Sequence, residues 1–301
     1  MGVSRMDTRV LHYFIVLTQV GNITKAATAL HTTQPTLSRQ LKELEVEVGA
    51  TLFIRGKRSI ILTDAGILFE RRAQAILNDL AQTKRELKNN LTGLAGPIRI
   101  GCVESKVSPF VADWLATFQQ QHPHSHFSLF SADGNTIREQ IDQNQLDIGI
   151  LLEPIESAKY FARTIPITET WGLIMASDAA LAQKEFIIGR DLKDLRLLGP
   201  RRSILKNQIA TWLRLDSDTL RFQGDRNLEN NVLPLLLNHH YYDIGIDGIL
   251  DFYQNQRLTF VPFSPLSQTR HTLIWRKNHS LSPTVQAFID YVTTQIQEMP
   301  L

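Results

Sequence analysis

Along the first sixty residues, apolar positions recur at helical spacing and stop at glycines. Val10, Leu11, Phe14, Ile15 and Leu17 mark one face of a first helix, and Gly21 stands where a left-handed C-terminal residue would end it. Asn22 is placed to cap a second helix over 24–30, whose Ala26, Ala27 and Ala29 permit close helix approach. After a short turn at His31, Thr32 and Thr33, a third helix is predicted. Thr33 is its N-cap, Pro35 lies in its first turn, Leu37, Leu41, Leu44 and Val48 form its apolar face, and Gly49 ends it. Residues 51–54 and 60–62 read as the strands of a hairpin with a turn at 56–59. Thr63 then caps a helix over 64–91, roughly 40 Å long at 1.5 Å per residue. From residue 97 the pattern changes to a βαβαβ series, with strands at 98–103, 126–130 and 147–152 and helices at 108–121 and 136–144. Further strands at 160–165, 171–176, 195–198, 221–223, 242–246, 258–261 and 272–275 alternate with helices, and a last helix covers 283–297.

Two short helices joined by a tight turn match the helix-turn-helix, whose second helix enters the major groove of DNA. Its outward face here carries Gln34, Thr36, Ser38, Arg39 and Lys42. Arginine reads guanine bidentately, glutamine reads adenine, and serine or threonine reaches phosphate. The following hairpin reads as a wing with Arg55, Lys57 and Arg58 at its tip. Charge supports a polyanionic partner: residues 1–93 hold 13 Lys/Arg against 8 Asp/Glu, net +5, whereas the remainder is net −3.

In the long helix, Phe69, Ala73, Ile76, Leu80, Thr83, Leu87 and Asn90 alternate at spacings of four and three, as in a coiled-coil seam. Charged neighbours such as Arg71, Arg72, Asp79 and Lys84 leave one narrow apolar stripe. A partner helix is therefore expected on Phe69, Ala73, Ile76, Leu80 and Leu87. Thr83 and Asn90 weaken the seam, so the dimer should also need contacts elsewhere. A two-fold pair of recognition helices requires an interrupted inverted repeat in the DNA.

The composition, 43% hydrophobic and 21% charged over 301 residues, is that of a globular chain of two or three units. No run of eighteen apolar residues and no signal-peptide pattern occurs, so a cytoplasmic protein without membrane insertion is expected. The single cysteine, Cys102, excludes an intramolecular disulfide and a zinc cluster. His122, His124 and His126 lack helical i, i+4 spacing and an acidic companion, so no metal site is expected there. With no P-loop, nucleophile elbow or paired carboxylates, the chain reads as neither an enzyme nor a holder of a cofactor.

The run ALHTTQPTLSRQLKELEVEVGATLFIRGKRSIILTDAG over 29–66 resembles the signature of the LysR-type transcriptional regulators. The match includes the paired alanines, the QPTLSRQ segment, Leu44 with Glu45, the Leu-Phe-x-Arg wing and the Leu-Thr-x-Ala-Gly that opens the next helix. This resemblance implies base and phosphate contacts from Gln34, Pro35, Ser38, Arg39 and Arg58, with Thr33, Lys42 and Arg55 on the DNA backbone. It also implies an antiparallel or crossed pair of linker helices. LDIGIL at 146–151 and YDIGID at 242–247 resemble the effector domain of the same family, which is similar to type 2 periplasmic binding proteins. The expected fold class is thus α/β: a winged helix-turn-helix (1–63), a linker helix (64–92) and a two-lobed effector domain (93–301). One lobe would be about 97–160 with 268–301, the other about 161–267, joined by hinge crossovers near 153–168 and 260–270.

A cleft between such lobes collects strand ends and helix N-termini, which suits small polar or anionic ligands. Glu104, Ser105 and Lys106 follow the first strand, and Pro200, Arg201, Arg202 and Ser203 precede a helix of the second lobe. Matched to the family, Ser105, Lys106, Arg202, Ser203 and Asp247 are the effector-pocket candidates. Glu104 opposes a purely anionic effector, so anionic, zwitterionic and cationic ligands all stay open. The anionic case depends on Arg201 or Arg202 facing the cleft. The expected partners are double-stranded DNA, a small-molecule effector and further copies of the chain, as homodimer or homotetramer. A solute-binding protein or enzyme on the two-lobed fold would leave the helix-turn-helix unexplained. The remaining alternative is an architectural DNA-binding protein whose body only mediates assembly.

Overall fold

The computed structural model describes residues 7–56, 59–89, 94–215, 220–251, 256–277 and 279–299. They form two compact units, the first ending in the long helix and the second holding most of the rest. The first comprises α1 (Thr8–Val20), α2 (Ile23–Ala29), α3 (Gln34–Val48), the hairpin β1 (Phe53–Arg55) and β2 (Ile60–Leu62), and α4 (Asp64–Asn89). Local signals set these boundaries. The Asp7 side chain accepts from the Val10 N–H at 2.9 Å, Asn22 from Lys25 at 3.0 Å, and Thr33 from Thr36. Gly21 and Gly49 end their helices at φ 69° and 73°.

The apolar faces of α1, α2 and α3 meet in a core of Phe14, Leu17, Ala26, Leu37, Leu41, Leu44 and Leu52. Burial of each large side chain contributes about 1.5–3 kcal/mol. The hairpin is tied to α3 through Glu45, whose Oε1 accepts from the N–H groups of Leu52 at 2.8 Å and Phe53 at 3.4 Å. Thr63 caps α4 by accepting from Gly66 N–H at 3.0 Å and donates to the Thr51 carbonyl at 2.7 Å. Gly66 lies so close to that turn that a Cβ would sit 1.9 Å from the Leu52 carbonyl oxygen.

The expected dimer seam on α4 needs correction. Ala73 is fully buried against Leu11 and Ile15 of α1, and Phe69 stacks edge-on against Phe14 with centroids 5.1 Å apart. These two positions fasten α4 to its own domain because α1 offers an apolar face that the seam count ignored. Leu68, Ile76 and Leu80 keep 58%, 45% and 36% of their surface exposed. The side chain of Leu87 and the whole of Asn90 lie outside the described residues.

The second unit runs β3 (Gly96–Cys102), α5 (Ser108–Gln121), β4 (Ser125–Ser131), α6 (Gly134–Asp142), β5 (Ile148–Leu152) and β6 (Tyr160–Ala176). It continues with β7 (Leu197–Pro200), α7 (Ser203–Trp212), β8 (Phe222–Arg226), α8 (Leu233–Leu236), β9 (Tyr242–Ile246), β10 (Leu258–Pro262), β11 (Gln268–Arg276) and α9 (Pro283–Glu298). Parallel strands β4, β3 and β5 form the first lobe, with α5 and α9 burying Trp114, Phe118, Phe288 and Ile289 against the sheet. In the second lobe, β7 pairs in parallel with β8 and β9.

The lobes share one hydrogen-bonded path because β6 spans both, pairing with β11 in its first part and with β9 and β10 in its second. Two separate strands with a break near 166–170 were expected here. The chain instead continues as one strand with a bulge: Arg270 pairs Thr168 and His271 pairs Ile165, so Pro166 and Ile167 are left over. Proline has no N–H to donate to a ladder, and a bulge accommodates it. The hinge is thus the β6–β11 ribbon, with its irregularity at Pro166.

Candidate nucleic-acid interface and effector cleft

Helix α3 is anchored by one face and exposed on the other. Leu37, Leu41 and Leu44 are buried, while Thr33, Gln34, Pro35, Thr36, Arg39 and Lys42 face solvent and Ser38 is half-buried. The Arg55 Nη2 donates to Ser38 Oγ at 2.8 Å, joining the first wing strand to the recognition face. Arg55 also lies 5.9 Å from the centroid of the Phe53 ring, which steadies the guanidinium. Arg39 is 74% exposed and only loosely paired with Glu43 at 3.7 Å. A surface pair of this kind is worth at most about 1 kcal/mol, so Arg39 can exchange it for a phosphate or base edge. Lys57 and Arg58 lie outside the described residues. Glu45, noted only as part of a motif, is the half-buried polar link that sets the wing beside α3.

In the second unit the loops after β3 and β7 and the start of α6 converge on a cleft with about 50 Å³ of free space. Its wall includes Glu104, Asp133, Gly134, Trp171, Arg201, Arg202, Arg226 and Glu229. Arg202 is buried and reaches from the second lobe to the first, its Nη1 and Nη2 donating to the carbonyls of Leu152 at 3.3 Å and Pro154 at 2.8 Å. Asn230 makes a second link between lobes by donating to Glu104 Oε2 at 2.8 Å. Asp133 caps α6, accepting from the N–H groups of Asn135 and Thr136. Arg226 is neutralised by Asp243 and by Glu229, each at 2.9 Å.

Three of the expected effector contacts, the buried Ser105 and the half-buried Lys106 and Asp247, gather in one polar cluster beside the hinge. Ser105 is fully buried with its Oγ 2.7 Å from His271 Nε2. The other ring nitrogen, Nδ1, lies 3.0 Å from the Ile167 carbonyl, which can only accept. His271 therefore carries its proton on Nδ1 and accepts from Ser105. Burial lowers the His271 pKa to about 4. Lys106 pairs with Asp247 across the lobes at 2.5 Å, while its backbone N–H donates to Glu169 at 2.6 Å. The Gly248 N–H donates to the other Glu169 oxygen at 3.1 Å. A Cβ on Gly248 would meet that oxygen at 2.7 Å and the Lys106 Cγ at 2.6 Å, so glycine lets the two lobes approach. Burial and the adjoining Asp247 raise the Glu169 pKa to about 8.

Of the five candidates, Arg202 lines the cleft, Ser105, Lys106 and Asp247 belong to the hinge cluster, and Ser203 opens α7 as an exposed residue. Sequence reasoning missed Glu169, Trp171 and His271. The first two were within reach, because Ile165, Ile167, Glu169 and Trp171 follow the period of two and all four are buried. Cys102 is buried, and desolvation together with Glu104 pushes its thiol up to about 12, so the reactive thiolate is suppressed. Among the described residues, no helix is long and apolar enough to cross a membrane, and no group of three His, Cys, Asp or Glu could hold a metal ion.

Comparison with known proteins agrees with this architecture. Residues 8–67 match the family model described as bacterial regulatory helix-turn-helix protein, lysR family, and residues 92–297 match the LysR substrate binding domain. The Hca operon transcriptional activator HcaR of Escherichia coli K12 is 34% identical over 299 residues, covering 97% of this chain and 98% of that protein. The regulator AlsR of Bacillus subtilis is 31% identical over 288 residues, covering 95% and 90%. The crystal structure of CbnR, a LysR family transcriptional regulator, superposes with a TM-score of 0.73 at 19% identity, covering 98% of this chain and all of that one. CbnR complexed with its target DNA gives a TM-score of 0.71 at 20% identity over 96% and 99% of the two chains. From its first helix to its last, the chain belongs to the LysR family of bacterial transcriptional regulators, with a DNA-binding helix-turn-helix and an effector-binding domain.

Proposed function

We propose that this regulator binds an interrupted inverted-repeat operator as a homodimer or homotetramer and changes its grip on DNA when a small molecule occupies the cleft between its effector lobes. The functional division is 1–63 for DNA, 64–92 for pairing and 93–301 for the effector. The observation that carries the DNA reading is the α3 surface, where Gln34, Arg39 and Lys42 stand exposed over a buried leucine face and Arg55 ties the wing to Ser38. Thr33, Pro35 and Arg58 complete the proposed contact set. The exposed apolar side chains Leu68, Ile76 and Leu80 on α4 favour a partner helix, which would bring two recognition helices to two half-sites. Lobe closure, biased by ligand, would shift the subunit arrangement and so the bend of the bound DNA.

Footprinting of the DNA flanking the gene tests this reading. Two protected half-sites related by a dyad are expected. Arg39→Ala should weaken specific binding by about 1–3 kcal/mol and relax sequence preference at one position of each half-site. Protection of a single site, or unchanged affinity and preference in the variant, would remove the operator assignment.

A further inference from the structure

The polar cluster beside the hinge ties both lobes to one carboxyl group. Glu169 lies on β6, the strand that spans both lobes, and is fully buried. One of its oxygens accepts from the Lys106 N–H at 2.6 Å, on the loop after β3 in the first lobe. The other accepts from the Gly248 N–H at 3.1 Å, just after β9 in the second. The same two loops are paired through Lys106 Nζ and Asp247 Oδ2 at 2.5 Å. They approach so closely that a Cβ on Gly248 would sit 2.6 Å from Lys106 Cγ and 2.8 Å from the Lys106 backbone nitrogen. The titratable groups around Glu169 are Asp247 after β9, Lys106 after β3, and His271 of β11, whose Nε2 lies 3.6 Å from Oε1. Burial lowers the His271 pKa to about 4, so the ring is neutral above that pH. Burial works against the Asp247 carboxylate, yet hydrogen bonds from Lys106 and the Thr170 N–H hold its pKa below the ordinary value. Lys106 therefore offsets Asp247, and among the described residues a second anion here would be buried without a cation of its own. Burial and Asp247 accordingly raise the Glu169 pKa to about 8.

We propose that Glu169 is a proton-operated latch between the two lobes: with its proton it holds the Lys106 and Gly248 loops together, and when it ionises the second negative charge beside Asp247 drives them apart. Parting the loops admits water to Glu169, whose pKa then returns towards its ordinary 4.5. Opening thus releases a proton between about pH 4.5 and 8, and closure takes one up. The ratio of open to closed forms rises about tenfold per pH unit through that window and levels off above it. The inference takes from the proposed function only that the lobes move, and it adds proton concentration as a second input beside the ligand.

Hydrogen exchange of the full-length protein without ligand or DNA tests the latch, read by mass spectrometry at the Lys106 and Gly248 amides from about pH 5.5 to 8.5 after division by the intrinsic exchange rate. Protection of both amides should fall about tenfold per pH unit up to about pH 8. It should lie below that of β3 throughout, which marks parting of the loops rather than unfolding. Glu169→Gln keeps the shape without the charge and should hold protection level across the range. Asp247→Asn leaves Lys106 to offset an ionised Glu169 and should also flatten the fall above pH 6. Protection that stays constant or rises with pH in the parent overturns the proposal, as does protection equal to that of β3. A fall that persists in either variant overturns it too. Because neither DNA nor ligand is present, such a failure leaves the operator and cleft readings standing.

Discussion

Glu169 shows how one side chain can set a pH response. Its pKa is raised to about 8 against an ordinary 4.5, so the native state retains a proton that the unfolded chain releases between those values. Its contribution to stability therefore falls as pH rises through that window. His271 acts in the opposite sense: its pKa is lowered from 6.5 to about 4, so the unfolded chain takes up the extra proton and stability falls as pH drops below 6.5. The two slopes oppose each other at mildly acidic pH, and above pH 6.5 only the Glu169 slope remains. Urea titrations should show stability declining from pH 6.5 to 8, and Glu169→Gln should flatten that decline whatever it does to the absolute value. Gly66 makes a second point at this scale. Alanine has the better helix propensity by about 1 kcal/mol, yet Gly66→Ala drives a Cβ to 1.9 Å from a backbone oxygen. A net loss of several kcal/mol is expected in a denaturation curve, because the backbone of the turn must move.

Helix α4 serves two interfaces with different partners. Its Phe69 and Ala73 side packs on α1, whereas Leu68, Ile76 and Leu80 stay exposed. Substitution should separate these roles. Phe69→Ala should lower the unfolding free energy by a few kcal/mol through loss of the Phe14 contact. Ile76→Ala with Leu80→Ala should leave folding nearly unchanged and weaken self-association in sedimentation equilibrium. If the double variant associates as tightly as the parent, pairing through this helix is excluded. A heptad-like count cannot make this distinction, because the same apolar residue suits an intrachain or an interchain neighbour.

For the whole molecule, DNA binding by a pair doubles every contact. Removing Lys42 should therefore reduce the slope of log affinity against log salt by about two, one phosphate per subunit, with little change in sequence preference. A change near one would indicate that a single recognition helix is engaged. Much of this architecture was legible in the sequence because it is locally encoded. Asn22, Thr33 and Thr63 cap helices through neighbours three residues away, Gly21 and Gly49 supply left-handed ends, and alternation marks the strands. The outward face of α3 followed from the same periodicity, as its buried leucines occupy the other side. What packs across long separations was not legible. Ser105 lies 166 residues from His271, Glu169 lies 79 from Gly248, and Arg202 reaches back 50 to Leu152. The sequence by itself determined the elements, their caps and the presence of a recognition surface, because each depends on residues within one or two turns. Only the tertiary structure decided that Ser105, Lys106 and Asp247 gather at the hinge while Arg202 and Trp171 face the cleft. Those environments are created by burial and by partners from distant strands, which no local pattern records.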